Sequence, residues 1–199
     1  PYGRVTSQEA KDAISKAKPK SFWLDSKSRP KAAPGLAKDI STGLVIVGGG
    51  FTGLWTAINA KIHQPNLDVV LIDSQRIGDG AAGRNGGFVS ASLTHGFPNG
   101  FGRWEHELTQ LVALGHENLD EIEDFLIEHK IDADFEWFGE FDVAITQEHA
   151  DELREMTATA KKYGEDFTFF DAQEFSKYVK SPLYKGAMLD ADCALVNPA

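Results

Sequence analysis

The stretch Gly43-Leu44-Val45-Ile46-Val47-Gly48-Gly49-Gly50-Phe51-Thr52-Gly53-Leu54-Trp55-Thr56-Ala57 constrains this chain more than any other. An apolar, β-branched run stops at three consecutive glycines, and an apolar-periodic segment begins at once. That order predicts a buried strand, a tight turn and a helix. Gly48, Gly50 and Gly53 stand at G-x-G-x-x-G spacing, and each position has a physical reason. The first glycine permits the turn, the second lets a pyrophosphate approach the backbone, and the third lets the helix pack close to the strand. The start of the helix adds unpaired N–H groups and the positive end of its dipole.

The context downstream agrees. The helix is expected from Thr52 to about His63, followed by a turn at Gln64-Pro65-Asn66 and a second strand-like run, Asp68-Val69-Val70-Leu71-Ile72-Asp73. That run ends on an acid twenty residues after Gly53. An acid at the tip of the second strand is placed to accept hydrogen bonds from the ribose hydroxyls of an adenosine. The alternative is a βαβ unit whose glycines only turn the chain and whose Asp73 caps a loop. Strand, turn, helix, strand and acid together favour a dinucleotide site.

A chain of 199 residues has room for one domain, or for a domain and part of another. The longest apolar stretch, residues 44–57, is broken by glycines and is too short for a membrane span. Lys11, Lys16, Lys18 and Lys20 are not followed by an apolar segment, so no signal peptide is expected, although an opening at Pro1 leaves room for a removed start. A net charge of -10 argues against a nucleic-acid surface. The single cysteine, Cys193, excludes an internal disulfide and a cysteine-rich metal site; it fits a reducing cytoplasm and reads as a small buried residue. Six histidines show no H-E-x-x-H or other close ligand pair, so no metal is expected, and no G-x-S-x-G elbow is present.

Along the chain, residues 1–37 are polar, with a capped helix start at Thr6-Ser7-Gln8-Glu9 and an apolar knot, Ser21-Phe22-Trp23-Leu24, expected to pin this arm to a core surface through its aromatics. After Asp73, residues 74–90 are too rich in glycine for stable regular structure, yet long and apolar-flanked. Glycine at this density suits close approach of backbone to a ligand, and Arg84 and Asn85 offer donors; a flexible surface loop is the alternative. His95, beside Ser90, Ser92 and Thr94, reads first as a partly exposed loop histidine and second as a neighbour of a cofactor ring. From Trp104, apolar residues through Leu108, Leu111, Val112, Gly115, Leu119, Ile122 and Leu126 predict one long packing helix. Strands are expected near residues 135–138, 141–145, 167–170 and 184–189, with a helix from Gln147 to Tyr163 capped by Thr146 and ended by Gly164, and a further helix start capped by Asp171. Asn197-Pro198 has the form of a helix start. Together with only two assignable parallel strands, it leads to the expectation of an N-terminal piece of a longer protein.

The segment Val45 to Gly53, with Asp73, Arg76-Ile77-Gly78 and Gly83-Arg84-Asn85-Gly86-Gly87, resembles the D-amino-acid oxidase/glycine oxidase superfamily of FAD-dependent oxidoreductases. Within it, the chain is similar to the gamma-glutamylputrescine oxidoreductase-like branch, in which an arm like Ser21 to Asp25 precedes the first strand. The resemblance implies an α/β fold: a Rossmann-like FAD-binding βαβ domain with an incomplete parallel sheet, and part of a β-rich α+β substrate domain. Residues 1–40 would be the arm, 41–132 the first part of the FAD-binding domain, and 133–199 the start of the substrate domain. It implies FAD as cofactor and a small amine or amino acid as substrate, with hydride transfer from the C–N carbon to the flavin and hydrolysis of the imine. The chain's own absent C-terminal half would be its partner. Gly48, Gly50, Phe51, Thr52 and Gly53 would hold the pyrophosphate, and Asp73 the ribose, with Ser74 beside it. Ala81, Ala82, Arg84, Asn85, Gly86, Gly87 and Phe88 would line the pyrophosphate and ring region. The chain departs from many relatives in having Asp73 for Glu and Ala82 for Ser. No catalytic residue is assigned. An NAD-dependent dehydrogenase also suits Asp73 but leaves residues 78–87 without a task; a non-catalytic dinucleotide-binding piece is the third reading.

Overall fold

A computed structural model describes residues 6–18, 20–27 and 29–199, so the arm expected over residues 1–40 is described except at residues 1–5, 19 and 28. Helix α1 (Gln8–Ile14) is capped by Ser7, whose hydroxyl accepts the Ala10 N–H at 3.2 Å. The helix thus starts one residue later than a box opening at Thr6 requires, and Ala10, three residues after the cap, has no carboxylate to reciprocate. A single 3₁₀ turn, Trp23–Asp25, follows.

Strand β1 (Leu44–Val47) and strand β2 (Val69–Ile72) pair in parallel, in register from Leu44 with Val69 to Val47 with Ile72. Parallel neighbours need a crossover, and helix α2 (Phe51–His63) supplies it. On β1, Ile46 is buried on the α2 side, whereas Val45 and Val47 alternate onto the opposite face and are 53% and 80% exposed. A 3₁₀ turn at Ala81–Gly83 lies in the glycine-rich stretch.

The described chain divides into two compact units. One comprises the residues up to Asn85 with Pro198 and Ala199, and the other comprises Gly86–Asn197. In the second, strand β3 (Phe88–Ser90) is followed by helices α3 (Phe97–Trp104) and α4 (Leu108–Glu128). Then come β4 (Glu136–Trp137), β5 (Glu140–Ala144), α5 (Gln147–Ala160), β6 (Thr168–Asp171), α6 (Ala172–Phe175), β7 (Gly186–Asp190) and β8 (Cys193–Leu195). They form two antiparallel three-stranded sheets, ordered β3-β8-β4 and β5-β7-β6.

The single helix expected from Trp104 is instead two. Gly96 at φ +94° and Pro98 in the first turn start α3 earlier, and a 3₁₀ turn at Glu105–Glu107 separates it from α4. The apolar stripe survives the break, since Leu108, Val112, Gly115 and Leu119 are the buried residues of α4. Leu108 and Val112 join Phe97 and Ala160 in one core cluster, and Ala144, Ala150, Leu153 and Met188 form another; Met156 and Phe167 pack against both. Thr146 caps α5 by accepting the His149 N–H; the helix ends at Ala160, and a 3₁₀ turn, Lys161–Tyr163, continues it to Gly164 at φ +103°. Asp171 and Glu174 make a complete capping box on α6. Residues 196–199, where a helix start is expected, have no regular structure. Cys193 is buried at the start of β8, and burial, with Glu140 and Asp190 adding to it, pushes its thiol up to about 11.

Gly115 has a specific role in this packing. A Cβ there would lie 1.7 Å from the Ala91 carbonyl oxygen, so α4 approaches that backbone as only glycine allows. Gly115→Ala is expected to destabilise the protein by about 1–3 kcal/mol or more, through forced displacement of backbone. Urea unfolding measures this, and an unchanged midpoint would show that α4 can slide away without loss.

Candidate nucleotide-binding site

The turn after β1 is built by three glycines with different surroundings. Gly48 has φ +111°, and its N–H donates to the Ile72 carbonyl at 2.8 Å, which ties the end of β1 to β2. Gly53, in the first turn of α2, packs against that same residue: a Cβ would sit 1.9 Å from the Gly48 oxygen and 3.4 Å from Ile46 Cγ2. Gly50 is the cap residue of α2, with no side chain capping the helix. A Cβ there would meet only the Ala82 Cβ, at 4.0 Å, so open space lies before the helix start. Phe51 and Thr52, the first two helical residues, are exposed. A helix N-terminus with uncapped N–H groups facing open space is chemically an anion site.

Asp73 closes the second side. Its Oδ2 accepts the Gly49 N–H at 2.7 Å, and its Oδ1 accepts the Gln75 N–H at 2.8 Å. These bonds, Gly49 first, then Gln75 and with Ser74 adding, hold its carboxyl below the usual value. Each carboxylate oxygen has a further lone pair, so a hydroxyl can add to these bonds without breaking them. Ser74 is exposed beside it.

The glycine-rich stretch folds back onto the turn. The Gly78 N–H, at a residue with φ +79°, donates to the Gly49 carbonyl at 3.0 Å. Residues 81–83 form the 3₁₀ turn, with Ala82 buried and Ala81 exposed. Arg84 Nε donates to the Asp79 carbonyl at 2.7 Å, and Asn85 Nδ2 to the Ala82 carbonyl at 2.6 Å. Both side chains therefore shape the loop they belong to. The residues Gly48, Gly50, Phe51, Thr52, Gly53, Asp73, Ser74, Ala81, Ala82, Arg84 and Asn85 share one compact unit, whereas Gly86, Gly87 and Phe88 belong to the other. There, the Gly87 carbonyl accepts the Val196 N–H at 2.8 Å, and Phe88, 60% exposed, opens β3. His95 is exposed at φ 60°, in a turn where Ser92 Oγ accepts the Gly96 N–H.

The sequence reading missed how the arm reaches this loop. Phe22 is 81% exposed, so its ring does not pin the arm, whereas Trp23 and Leu24 are half-buried. Polar contacts add to their packing. Ser21 Oγ donates to the Gly83 carbonyl at 2.8 Å, and the Trp23 indole N–H donates to the Asn85 carbonyl at 3.0 Å. Arg29, which no motif singles out, donates to Asp79 Oδ1 at 2.9 Å and to the Ile77 carbonyl at 3.1 Å. The Arg76 guanidinium returns a bond to the Pro30 carbonyl. Loop carbonyls without ladder partners need donors, and the arm brings them. Residues 29–36 and β2, with Asp73 and Gln75, also line a cavity of about 570 Å³.

In the other unit, Glu140, Asp142, Glu165 and Asp190 line a cavity of about 140 Å³. Burial pushes the carboxyls of Glu165 and Asp190 up, and Glu165 lies 3.2 Å from His116 Nε2. Among the described residues, no group of three or more His, Cys, Asp or Glu is placed to hold a metal ion.

Two outcomes test the turn. Gly53→Ala is expected to separate α2 from the Gly48 carbonyl and to destabilise the protein by about 1–3 kcal/mol, read from denaturant midpoints. Asp73 is held below 3.8 in the fold, so its contribution is complete above that pH and is lost as pH falls through its lower native value. Asp73→Asn should therefore flatten the acid limb of stability against pH, and an unaltered limb would show that the two N–H bonds do not hold the native carboxylate.

Comparison with known proteins bears on this geometry. The sequence model of the family described as DAO, FAD dependent oxidoreductase, matches residues 44–199. The chain is 27% identical over 180 residues to gamma-glutamylputrescine oxidoreductase of Escherichia coli (strain K12), covering 89% of this chain and 42% of that protein. It is 30% identical over 171 residues to a probable oxidoreductase OrdL of Rhizobium meliloti (strain 1021), covering 78% and 36%. Its fold is similar to glycine oxidase from Bacillus cereus ATCC 14579, with a TM-score of 0.60 and 17% identity over 79% of this chain and 40% of that one. It is also similar to L-amino acid deaminase from Proteus myxofaciens, with a TM-score of 0.63 and 19% identity over 87% and 37%. The chain thus spans about two fifths of the length of the curated relatives it matches. With its family match running from the first residue of β1 to Ala199, this α/β chain belongs to the DAO family of FAD dependent oxidoreductases.

Proposed function

We propose that this chain binds FAD and forms the N-terminal part of an enzyme that oxidises the C–N bond of a small amine or amino acid. The observation that carries the reading is the hydrogen bond from Gly78 to Gly49, which brings the glycine-rich loop onto the nucleotide turn. A nicotinamide enzyme needs the turn and the acid, but not a second glycine-rich wall beside them.

In this reading the α2 start, with Gly48, Gly50, Phe51, Thr52 and Gly53, holds the pyrophosphate. Asp73 accepts from the adenosine ribose, with Ser74 beside it. Ala81, Ala82, Arg84, Asn85, Gly86, Gly87 and Phe88 line the remainder of the cofactor. Bound FAD supplies a hydride acceptor, while the protein positions it. The substrate class follows the names of the relatives, a gamma-glutamylputrescine oxidoreductase and a glycine oxidase. Residues 41–132 are assigned to the FAD-binding domain and 133–199 to the start of the substrate domain, and turnover is assigned to the whole protein. Parallel sheets are covered on both faces, and the exposed Val45 and Val47 fit a face that further chain of that protein covers. No helix among the described residues is long and apolar enough to cross a membrane, and a cytoplasmic location is the reading that a lone free cysteine supports.

The test is a visible absorption spectrum of the purified protein after FAD addition and desalting, in the wild type and in Gly50→Ala. The wild type should keep a flavin band. Gly50→Ala should keep its fold, because the new methyl meets only Ala82 at ordinary distance. It should weaken FAD binding by about tenfold or more, the loss expected when one charged hydrogen bond goes. A folded Gly50→Ala protein with unchanged affinity would reject the pyrophosphate assignment.

A further inference from the structure

We infer that the arm formed by residues 20–27 with Arg29 and Pro30 is a clasp that sets how tightly the nucleotide site holds its cofactor, with Arg29 as its central positioning residue. The inference rests on the FAD reading above and concerns residues that lie outside every glycine motif of the chain.

The geometry is specific. Arg29 places one guanidinium nitrogen on the Ile77 carbonyl and another on Asp79 Oδ1, so its planar fork straddles Gly78. The Gly78 N–H is the group that reaches the Gly49 carbonyl, and the Gly49 N–H in turn binds Asp73. A series of hydrogen bonds, linked through the backbone of Gly49, thus runs from the arm through the loop to the nucleotide turn and its acid. The Arg29 side chain is only 10% exposed, and that of Asp79 28%, so this pair is shielded from water far more than an ordinary surface ion pair. The other end of the arm grips the far end of the same loop. Ser21 and Trp23 donate to the carbonyls of Gly83 and Asn85. Leu24 packs so closely on Gly83 that a Cβ there would lie 2.6 Å from Leu24 Cδ2. Both ends of a loop with glycines at 78, 80 and 83 are therefore held from outside, which removes the freedom those glycines would otherwise give it.

A loop ordered before the ligand arrives binds it more tightly, because the ordering entropy is not charged to binding. The coupling is also reciprocal: a bound cofactor must steady the arm by the same factor as the arm steadies the cofactor. This reciprocity separates a clasp from an arm that merely adds stability.

The experiment measures FAD affinity and amide hydrogen exchange in the intact protein, for the wild type, Arg29→Ala and Trp23→Phe. The second variant keeps an aromatic side chain while removing the indole donor, so the test survives if the first does not fold. Without FAD, both variants should speed exchange at the Gly78, Gly83 and Arg84 amides, while amides of α4 stay unchanged. FAD affinity should fall by about five- to tenfold, within the usual range of couplings between sites. In the wild type, FAD should slow exchange at the Asp25 and Ser26 amides, which bond within the 3₁₀ turn of the arm. Unchanged FAD affinity in folded variants, or arm amides indifferent to FAD, overturns the clasp while leaving the flavin reading intact. A wild type that takes up no FAD overturns both.

Discussion

The contact between Gly53 and the Gly48 carbonyl is the constraint on which the first unit depends. No Cβ fits between them, and that closeness lets α2 begin directly beneath the end of β1. With the helix so placed, its return through residues 64–68 lays β2 in register beside β1 and delivers Asp73 to the Gly49 N–H. The same turn presents the Gly49 carbonyl to Gly78, so the glycine-rich loop is anchored by a group that exists only because the turn is tight. Three glycines a few residues apart thus act differently: one bends the chain, one leaves space and one permits contact.

In the proposed function, Asp73 is one acid that serves both fold and ligand. Aspartate is one methylene shorter than glutamate, and here it folds back onto the turn, accepting a backbone N–H on each oxygen. Those bonds keep it ionised and aimed. Each oxygen keeps a further lone pair, and these are the groups that the proposed function assigns to an adenosine hydroxyl.

The β1-α2-β2 unit was readable because its signals are local: β-branched runs, a glycine turn and an acid at fixed separation. The caps at Thr146 and Asp171, and the stripe from Leu108 to Leu119, were readable for the same reason. What escaped was non-local or very short. Strands β3 and β8 have three residues each, too few for a period-two pattern to register. The start of α3 is set by Gly96 and Pro98, and it is parted from α4 by a 3₁₀ turn at Glu105–Glu107 rather than by any lapse in periodicity. The contacts of Ser21, Trp23 and Arg29 join residues about fifty to sixty positions apart, and an arginine in a polar arm gives no hint of its acceptors. The apolar knot hid a polar contact as well, because half-buried Trp23 also acts through its N–H while Phe22 beside it stays in solvent.

The buried Cys193 carries a consequence of a different kind. The thiolate is the form that attacks alkylating reagents, and a thiol with a pKa near 11, 1% exposed at the start of β8, offers neither charge nor access. Since it is the chain's only cysteine, every alkylated molecule records a moment when the strand around residue 193 opened. The chain therefore carries its own stopwatch for local unfolding: labelling rate reports how often this sheet breathes, without any engineered probe.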